Sequence, residues 1–135
     1  MVEMKVVYEG GLRCAVTHGP SGNQITTDAP VDNHGKGEAF SPTDLVAAAT
    51  GACMVTILGI VAEREQVDVT GTTVVVQKEM SADTPRRISR LVIEISVPLS
   101  SDHCSRRKLE AAAMACPVKQ SLHPDIAIEI DWSWR

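Results

Sequence analysis

Alternating or β-branched apolar segments recur along the chain and predict β-strands. The predicted strands cover residues 4–9, 11–17, 24–27, 67–80, 91–97 and 126–134. Gly10-Gly11 is typical of a tight turn between the first two, and Pro20-Ser21-Gly22-Asn23 predicts the turn before the third. Residues 28–40 contain two glycines and a proline without periodicity, so we interpret them as a loop and a candidate lid.

A long apolar helix is predicted over residues 42–64. Ser41 is a suitable N-cap, Pro42 favours the first helical position, and Asp44 lies where a capping-box carboxylate would. Residues 45–62 form an uncharged stretch of 18, which meets the lower limit of roughly 17–25 for a membrane span. The stretch contains two threonines and two glycines and is mostly alanine and valine, so we expect a fully buried central helix of a soluble protein instead.

A second helix is predicted over residues 103–115 and ends at Pro117, because the residue before a proline avoids the α region. Residues 118–122 can add one or two further turns. The order of strands, long helix, strands, broken helix and strand predicts one α+β domain over residues 1–135, with mostly antiparallel sheet. One small sheet cannot cover a helix that is apolar on every side, so we expect a second copy of the chain to cover the rest.

Composition excludes several classes of partner. The 135 residues carry a net charge of −4, whereas proteins that neutralise nucleic-acid phosphates are normally basic. Aromatic residues make up only 3%, too few for base-stacking platforms. The N-terminal segment lacks the apolar run of a signal peptide, so we expect a cytoplasmic protein with reduced cysteines and no membrane insertion. Histidines and cysteines show no metal-ligand spacing, so we expect no metal site.

Two of the four cysteines are candidates for chemistry. Cys53 lies in the middle of the long predicted helix, where a free cysteine is usually a small buried hydrophobe, and no cation in its own helix could activate it. Cys116 directly precedes Pro117. If a new helix starts there, the Cys116 sulfur lies over free backbone N–H groups, which favour the thiolate.

The other two cysteines are expected to be bystanders. Cys14 shares a predicted strand face with Leu12 and Val16, so we expect it in the core. Cys104 begins a polar helix and is expected at the surface.

Two motifs carry a family resemblance. SPTDLVAAATGACM, followed roughly sixty residues later by ACPVKQSL, resembles the osmotically inducible protein C / organic hydroperoxide resistance (OsmC/Ohr) family. The resemblance extends over nearly the whole chain, including TDAP at 27–30 and PRRI at 85–88. It implies an intertwined homodimer of α+β subunits, in which antiparallel sheets surround long central helices and the active sites lie at the subunit interface. It also implies cysteine chemistry without a bound cofactor or metal.

The same resemblance implies roles for individual residues. Cys53 corresponds to the peroxidatic cysteine, whose thiolate attacks a small organic hydroperoxide and becomes a sulfenic acid. Cys116 corresponds to the resolving cysteine, which forms a disulfide with Cys53 that an external dithiol reductant reopens. Arg13 is the nearest match to the family arginine that holds the thiolate. The implied function is an antioxidant peroxidase, and the aliphatic residues around Cys53 favour alkyl peroxides over hydrogen peroxide.

One position departs from the family pattern. Family peroxidases have a glutamate directly after the helix-start proline, and this chain has Thr43 there. Asp44 lies one residue on, about 100° round the helix, so either Asp44 or Glu38 replaces the glutamate or the arginine clamp is altered. The departure leaves an alternative function, a non-catalytic dimeric binding module for an apolar or thiol-containing ligand.

Local electrostatics and the family resemblance indicate different cysteines as the first nucleophile. Helix-terminus electrostatics favour Cys116 as the more acidic thiol. The family resemblance assigns the first attack to Cys53, and we follow it.

Overall fold

The computed structural model describes residues 1–135 and confirms the α+β class. The strands are β1 (Met4–Gly10), β2 (Arg13–His18), β3 (Gln24–Asp28), β4 (Thr73–Met80), β5 (Ile88–Val97) and β6 (Ala127–Trp134). The helices are α1 (Pro42–Arg64), α2 (Arg106–Met114) and α3 (Pro117–Ser121), and a 3-10 turn covers Val31–Asn33. The chain divides into two compact units, Met1–Val46 and Ala47–Arg135, each of which contains one three-stranded sheet.

The first unit is an antiparallel sheet in the order β1-β2-β3. The β2–β3 register pairs Thr17 with Gln24 and Arg13 with Asp28, which centres the connecting turn on Pro20-Ser21 as the sequence predicts. Strand alternation therefore places Arg13 and Asp28 side by side on one face of the sheet.

The opposite face of this first sheet is apolar and open. Met4, Val6 and Tyr8 alternate along β1, and each is 59–63% exposed. Across the register, Val16 pairs with both Val6 and Ile25, so all three strands contribute apolar side chains to this face. Burial would stabilise these side chains by roughly 1.5–3 kcal/mol each, so a face of this kind is expected to be covered in an assembly.

The second unit contains the main core. Its sheet has the order β4-β5-β6, in which β4–β5 is antiparallel and β5–β6 is parallel, with α2 and α3 in the connection. The parallel pair requires such a long connection, because a tight hairpin can join only antiparallel strands. The core residues of β5 are all 0–1% exposed: Leu91, Ile93, Ile95 and Val97.

Helix α1 has the predicted bounds and packs on this sheet along one face. Its buried side chains within the unit recur at helical spacing: Ala47, Thr50, Gly51, Met54, Leu58 and Ala62. A Cβ on Gly51 would lie 2.7 Å from a methyl group of Val76, so glycine allows the close approach of helix and sheet. Length and apolar composition alone would also suit a membrane span, but this face packs as core helices do.

In the single chain α1 is buried along one face only, which agrees with the expectation that one small sheet cannot cover it. Ile60 is 41% exposed and Val46 is 36% exposed, so only the face toward the sheet is covered. Three strands are too narrow to wrap a helix, which presents side chains in every direction.

Several predicted boundaries also shift; β5, for example, begins at Ile88 rather than at residue 91. Two of the shifts have a visible local cause. The strand expected from residue 67 begins at Thr73, because Asp68 accepts a hydrogen bond from the Thr70 N–H in a side-chain turn and Gly71 takes a positive φ of 89°. The helix expected from residue 103 begins at Arg106, where the N–H of Ser105 is instead donated to His103 Nδ1. In both places a polar side chain accepts a backbone N–H and competes with regular backbone pairing.

Candidate active site

Cys116 occupies the break between α2 and α3. It is the N-cap of α3, with extended backbone (φ −61°, ψ 141°) and Pro117 in the first turn, and its Sγ accepts a hydrogen bond from the Lys119 N–H at 3.3 Å. The predicted position over free N–H groups at a helix start is therefore confirmed. Proline fixes this geometry, since it excludes the α conformation at the preceding residue.

The expected acidity of Cys116 is wrong. The side chain is fully buried, and this burial raises the pKa of the thiol above its ordinary 9.0, because a thiolate loses more solvation than a thiol. The Lys119 N–H acts in the opposite direction but does not compensate, and the neighbouring Cys53 raises the pKa further. Cys116 is therefore a protonated thiol at neutral pH.

Cys53 lies beside Cys116. It projects from the middle of α1 and packs against the core that contains Cys116, close enough to raise the pKa of the Cys116 thiol, and both cysteines are reduced. Unlike Cys116 it is only partly buried, with one side against the core and the other toward the open face of α1. Helix α1 and the α2–α3 break thus bring together two thiols of unequal exposure from positions 63 residues apart in the sequence.

Arg13 is held by two carboxylates in the first unit. Its Nε donates to Asp28 Oδ1 at 2.7 Å, and its Nη2 donates to Asp28 Oδ2 and to Glu38 Oε2, both at 2.9 Å. The bonds to Asp28 form a bidentate, charge-assisted pair. They lower the pKa of Asp28 and raise that of Arg13, so both groups remain charged over the neutral range.

Asp44 has a different role. Its Oδ2 accepts the Ser41 N–H at 2.9 Å, and its own N–H is donated to Ser41 Oγ at 3.1 Å, which is the predicted capping box at the start of α1. Two residues were expected as replacements for the family glutamate. Of these, Glu38 contacts Arg13, and Asp44 caps α1.

Asp28 is a site residue that the sequence patterns did not indicate. Its side chain is only 2% exposed and accepts two hydrogen bonds from Arg13. A signal was present, because a β-hairpin turn centred on Pro20-Ser21 sets Arg13 opposite Asp28. The pairing follows from the predicted turn, but only once the exact register is fixed.

The remaining cysteines have no contact with these groups within their own units. Cys14 is half-buried on the sheet face opposite Arg13, and Leu12, expected beside it, instead lies in the preceding turn at φ 62°. Cys104 is exposed, as expected. No group of three His, Cys, Asp or Glu side chains is arranged as metal ligands would be.

Comparison with known proteins identifies the family. Residues 35–131 match the OsmC-like protein family, and this match covers both cysteine motifs. The chain belongs to the OsmC-like family. No curated protein is significantly similar to this OsmC-like chain.

Solved structures of similar proteins extend this result. A Psychrobacter arcticus 273-4 protein, described as an osmotic stress induced and detoxification response protein, is 47% identical with a TM-score of 0.91, over 98% of this chain and 96% of that one. A Legionella pneumophila organic hydroperoxide resistance protein OsmC is 16% identical with a TM-score of 0.78, over 98% and 96%. An Elizabethkingia anophelis organic hydroperoxide resistance protein is 16% identical with a TM-score of 0.78, over 100% of this chain and 96% of that one. The last two show that the OsmC-like fold is shared.

Proposed function

We propose that this OsmC-like protein is a thiol peroxidase that reduces organic hydroperoxides with Cys53 and Cys116. The observation that carries the proposal is that a partly exposed thiol on α1 packs against the core that contains a fully buried thiol at the start of α3, close enough to affect its pKa. The names of the two organic hydroperoxide resistance proteins with the same fold support a redox role of this kind.

The chemistry proceeds in three balanced steps. The Cys53 thiolate attacks the peroxide O–O bond, so that an S–O bond forms, the alkoxide takes a proton and leaves as an alcohol, and Cys53 becomes a sulfenic acid. The Cys116 thiol then condenses with the sulfenic acid, which forms the S–S bond and releases water. An external dithiol reduces this disulfide by exchange and is itself oxidised.

The burial of Cys116 supports this division of roles. The nucleophile in peroxide reduction is a thiolate, and the raised pKa keeps Cys116 protonated at neutral pH. Cys116 is therefore a poor competitor for peroxide but lies in position to attack a sulfenic acid on Cys53. The partial exposure of Cys53 gives the substrate access.

The proposal includes a homodimer and a cation for Cys53. The open faces of α1 and of the first sheet, with exposed Ile60 and Val6, are the surfaces that a second copy would cover. In the assembled dimer, Arg13 stabilises the Cys53 thiolate, as the family resemblance implies, and Glu38 replaces the family glutamate. We place the activity in the cytoplasm, where dithiol reductants are maintained.

Thiol counting after peroxide treatment tests the proposal. Stopped-flow mixing of the reduced protein with cumene hydroperoxide should remove two thiols per subunit, because the cycle ends in one disulfide. Cys53→Ser should react negligibly, whereas Cys116→Ser should stop at the sulfenic acid, which a dimedone-type probe traps.

The exposed Cys104 provides the matched control. Cys104→Ser should lose two thiols at the wild-type rate. If Cys53→Ser reacts as fast as wild type, the assignment is wrong. Unchanged thiols in wild type after excess peroxide would favour the dimeric binding module instead.

A further inference from the structure

The Arg13–Asp28 pair has the geometry of a built support for a functional arginine. The two residues are direct cross-strand neighbours in the β2–β3 register, and both hydrogen bonds between them are short, at 2.7 and 2.9 Å. Asp28 is 2% exposed, whereas the Arg13 side chain is 33% exposed. A buried carboxylate thus holds one edge of a guanidinium whose remainder reaches the surface.

Asp28 also fixes the loop that follows it. The Glu38 N–H is donated to Asp28 Oδ2 at 3.2 Å, and the Asp28 N–H to the Phe40 carbonyl at 3.1 Å. The loop that follows β3 and the Arg13 side chain are therefore both held by Asp28. Glu38 itself is a weaker support for Arg13, because its side chain is 63% exposed and makes a single bond.

The bonds to Asp28 and Glu38 leave one edge of Arg13 unused. They engage Nε and Nη2, so both N–H groups of Nη1 remain available to a ligand or thiolate. A bidentate pair fixes the guanidinium plane as well as its position, and hence the direction in which Nη1 points.

We infer that Asp28 is a positioning residue, which orients the Arg13 guanidinium so that its Nη1 edge faces the reacting Cys53 sulfur in the assembled enzyme. The inference rests on the proposed peroxidase function and adds to it a residue that the family resemblance does not supply. Of the two carboxylates that hold the Arg13 guanidinium, the buried Asp28 fixes its position and the exposed Glu38 contributes less.

Two effects of Asp28 on Cys53 have opposite signs, and this makes the inference testable. As a nearby negative charge, Asp28 would disfavour the Cys53 thiolate, so its removal would make the thiol more reactive. As the residue that orients Arg13, it favours the thiolate, so its removal would make the thiol less reactive. Asp28→Glu keeps the charge but lengthens the side chain by one methylene, so any effect of this variant reports position alone.

The experiment measures alkylation of Cys53 by iodoacetamide against pH, in a background where Cys14, Cys104 and Cys116 are replaced by serine. Asp28→Asn and Asp28→Glu should both move the alkylation midpoint to higher pH. In the otherwise native enzyme, both should lower kcat/KM for cumene hydroperoxide about 10- to 100-fold, as displacements near 1 Å do. Glu38→Gln should lower it less than about fivefold.

Asp83→Asn is the matched control, because Asp83 pairs with Arg87 through two hydrogen bonds at an exposed position elsewhere. It should change neither measurement. An unchanged or lower alkylation midpoint in the Asp28 variants would overturn the inference. If Asp28→Asn does not fold, Asp28→Glu decides alone. If wild type reduces no peroxide, the proposed function fails, while the alkylation profiles still test Asp28.

Discussion

Two thiols that differ in exposure meet where α1 passes the break between α2 and α3. Their difference comes from local structure rather than from residue type. Pro117 forces the extended backbone that turns the Cys116 sulfur inward over the Lys119 N–H, while Cys53 stands on a helix that is covered on one side only. For Cys116, the loss of solvation outweighs the favourable helix start.

The raised pKa of Cys116 predicts a stability that falls with alkalinity. Below the ordinary value of 9.0 the thiol is protonated in both the folded and the unfolded chain, so it has no effect on the pH dependence. Above that value the unfolded chain loses the proton and the folded chain retains it, so the free energy of unfolding decreases as pH rises. Urea unfolding of reduced wild type and Cys116→Ser at pH 7 and pH 10 should therefore show a smaller difference at pH 10.

Cys104→Ser is the control for this measurement, since Cys104 is exposed. Its stability relative to wild type should be the same at both pH values. If the difference in free energy of unfolding between wild type and Cys116→Ser does not change with pH, the prediction is wrong.

At the scale of elements, the packing of α1 on its sheet depends on a glycine. A methyl group at position 51 would lie 2.7 Å from Val76 Cγ2 and 3.1 Å from Val74 Cγ1, and valine side chains have little freedom to move aside. Overpacking of this kind costs about 1–3 kcal/mol, which exceeds the gain of up to about 1 kcal/mol in helix propensity. Gly51→Ala should therefore lower the free energy of unfolding by about 1–2 kcal/mol in denaturant titration.

Gly59→Ala adds the same methyl group to the same helix where no atom lies within 4 Å. It should not destabilise the chain and should raise the free energy of unfolding by up to about 1 kcal/mol. Equal effects of the two substitutions would show that packing at position 51 is not the cause.

Element type was more predictable than element boundaries. The bounds of α1 follow from its capping box and the charge-free run of residues 45–62, which act locally. The start of β4 and the parallel β5–β6 pairing did not follow, because the first depends on a local side-chain turn at Asp68 and the second on tertiary contacts between distant strands.

At the scale of the whole molecule, the open apolar surfaces argue for the proposed second copy. The sheet face of Met4, Val6 and Tyr8 predicts that a charge there blocks assembly. Val6→Lys should convert a dimer into monomers in sedimentation experiments, because burial of an unpaired lysine is strongly unfavourable. Peroxidase activity should fall with it.

Lys5→Glu is the control, because it changes the charge on the opposite face of the same strand. It should leave the dimer intact. A wild-type chain that sediments as a monomer at micromolar concentration would contradict the proposed assembly.

The sequence by itself determined the α+β class, the extent of α1 and the helix break at Cys116, because propensity, capping and proline geometry act over a few residues. Its two cysteine motifs also indicated the family. The resemblance implied that Cys53 and Cys116 lie together, but only the tertiary structure buried Cys116 enough to reverse its expected acidity and set Asp28 beside Arg13. These features depend on strand register and on the exclusion of water by distant parts of the chain. Neither the register nor the exclusion of water can be predicted from a short segment of the sequence.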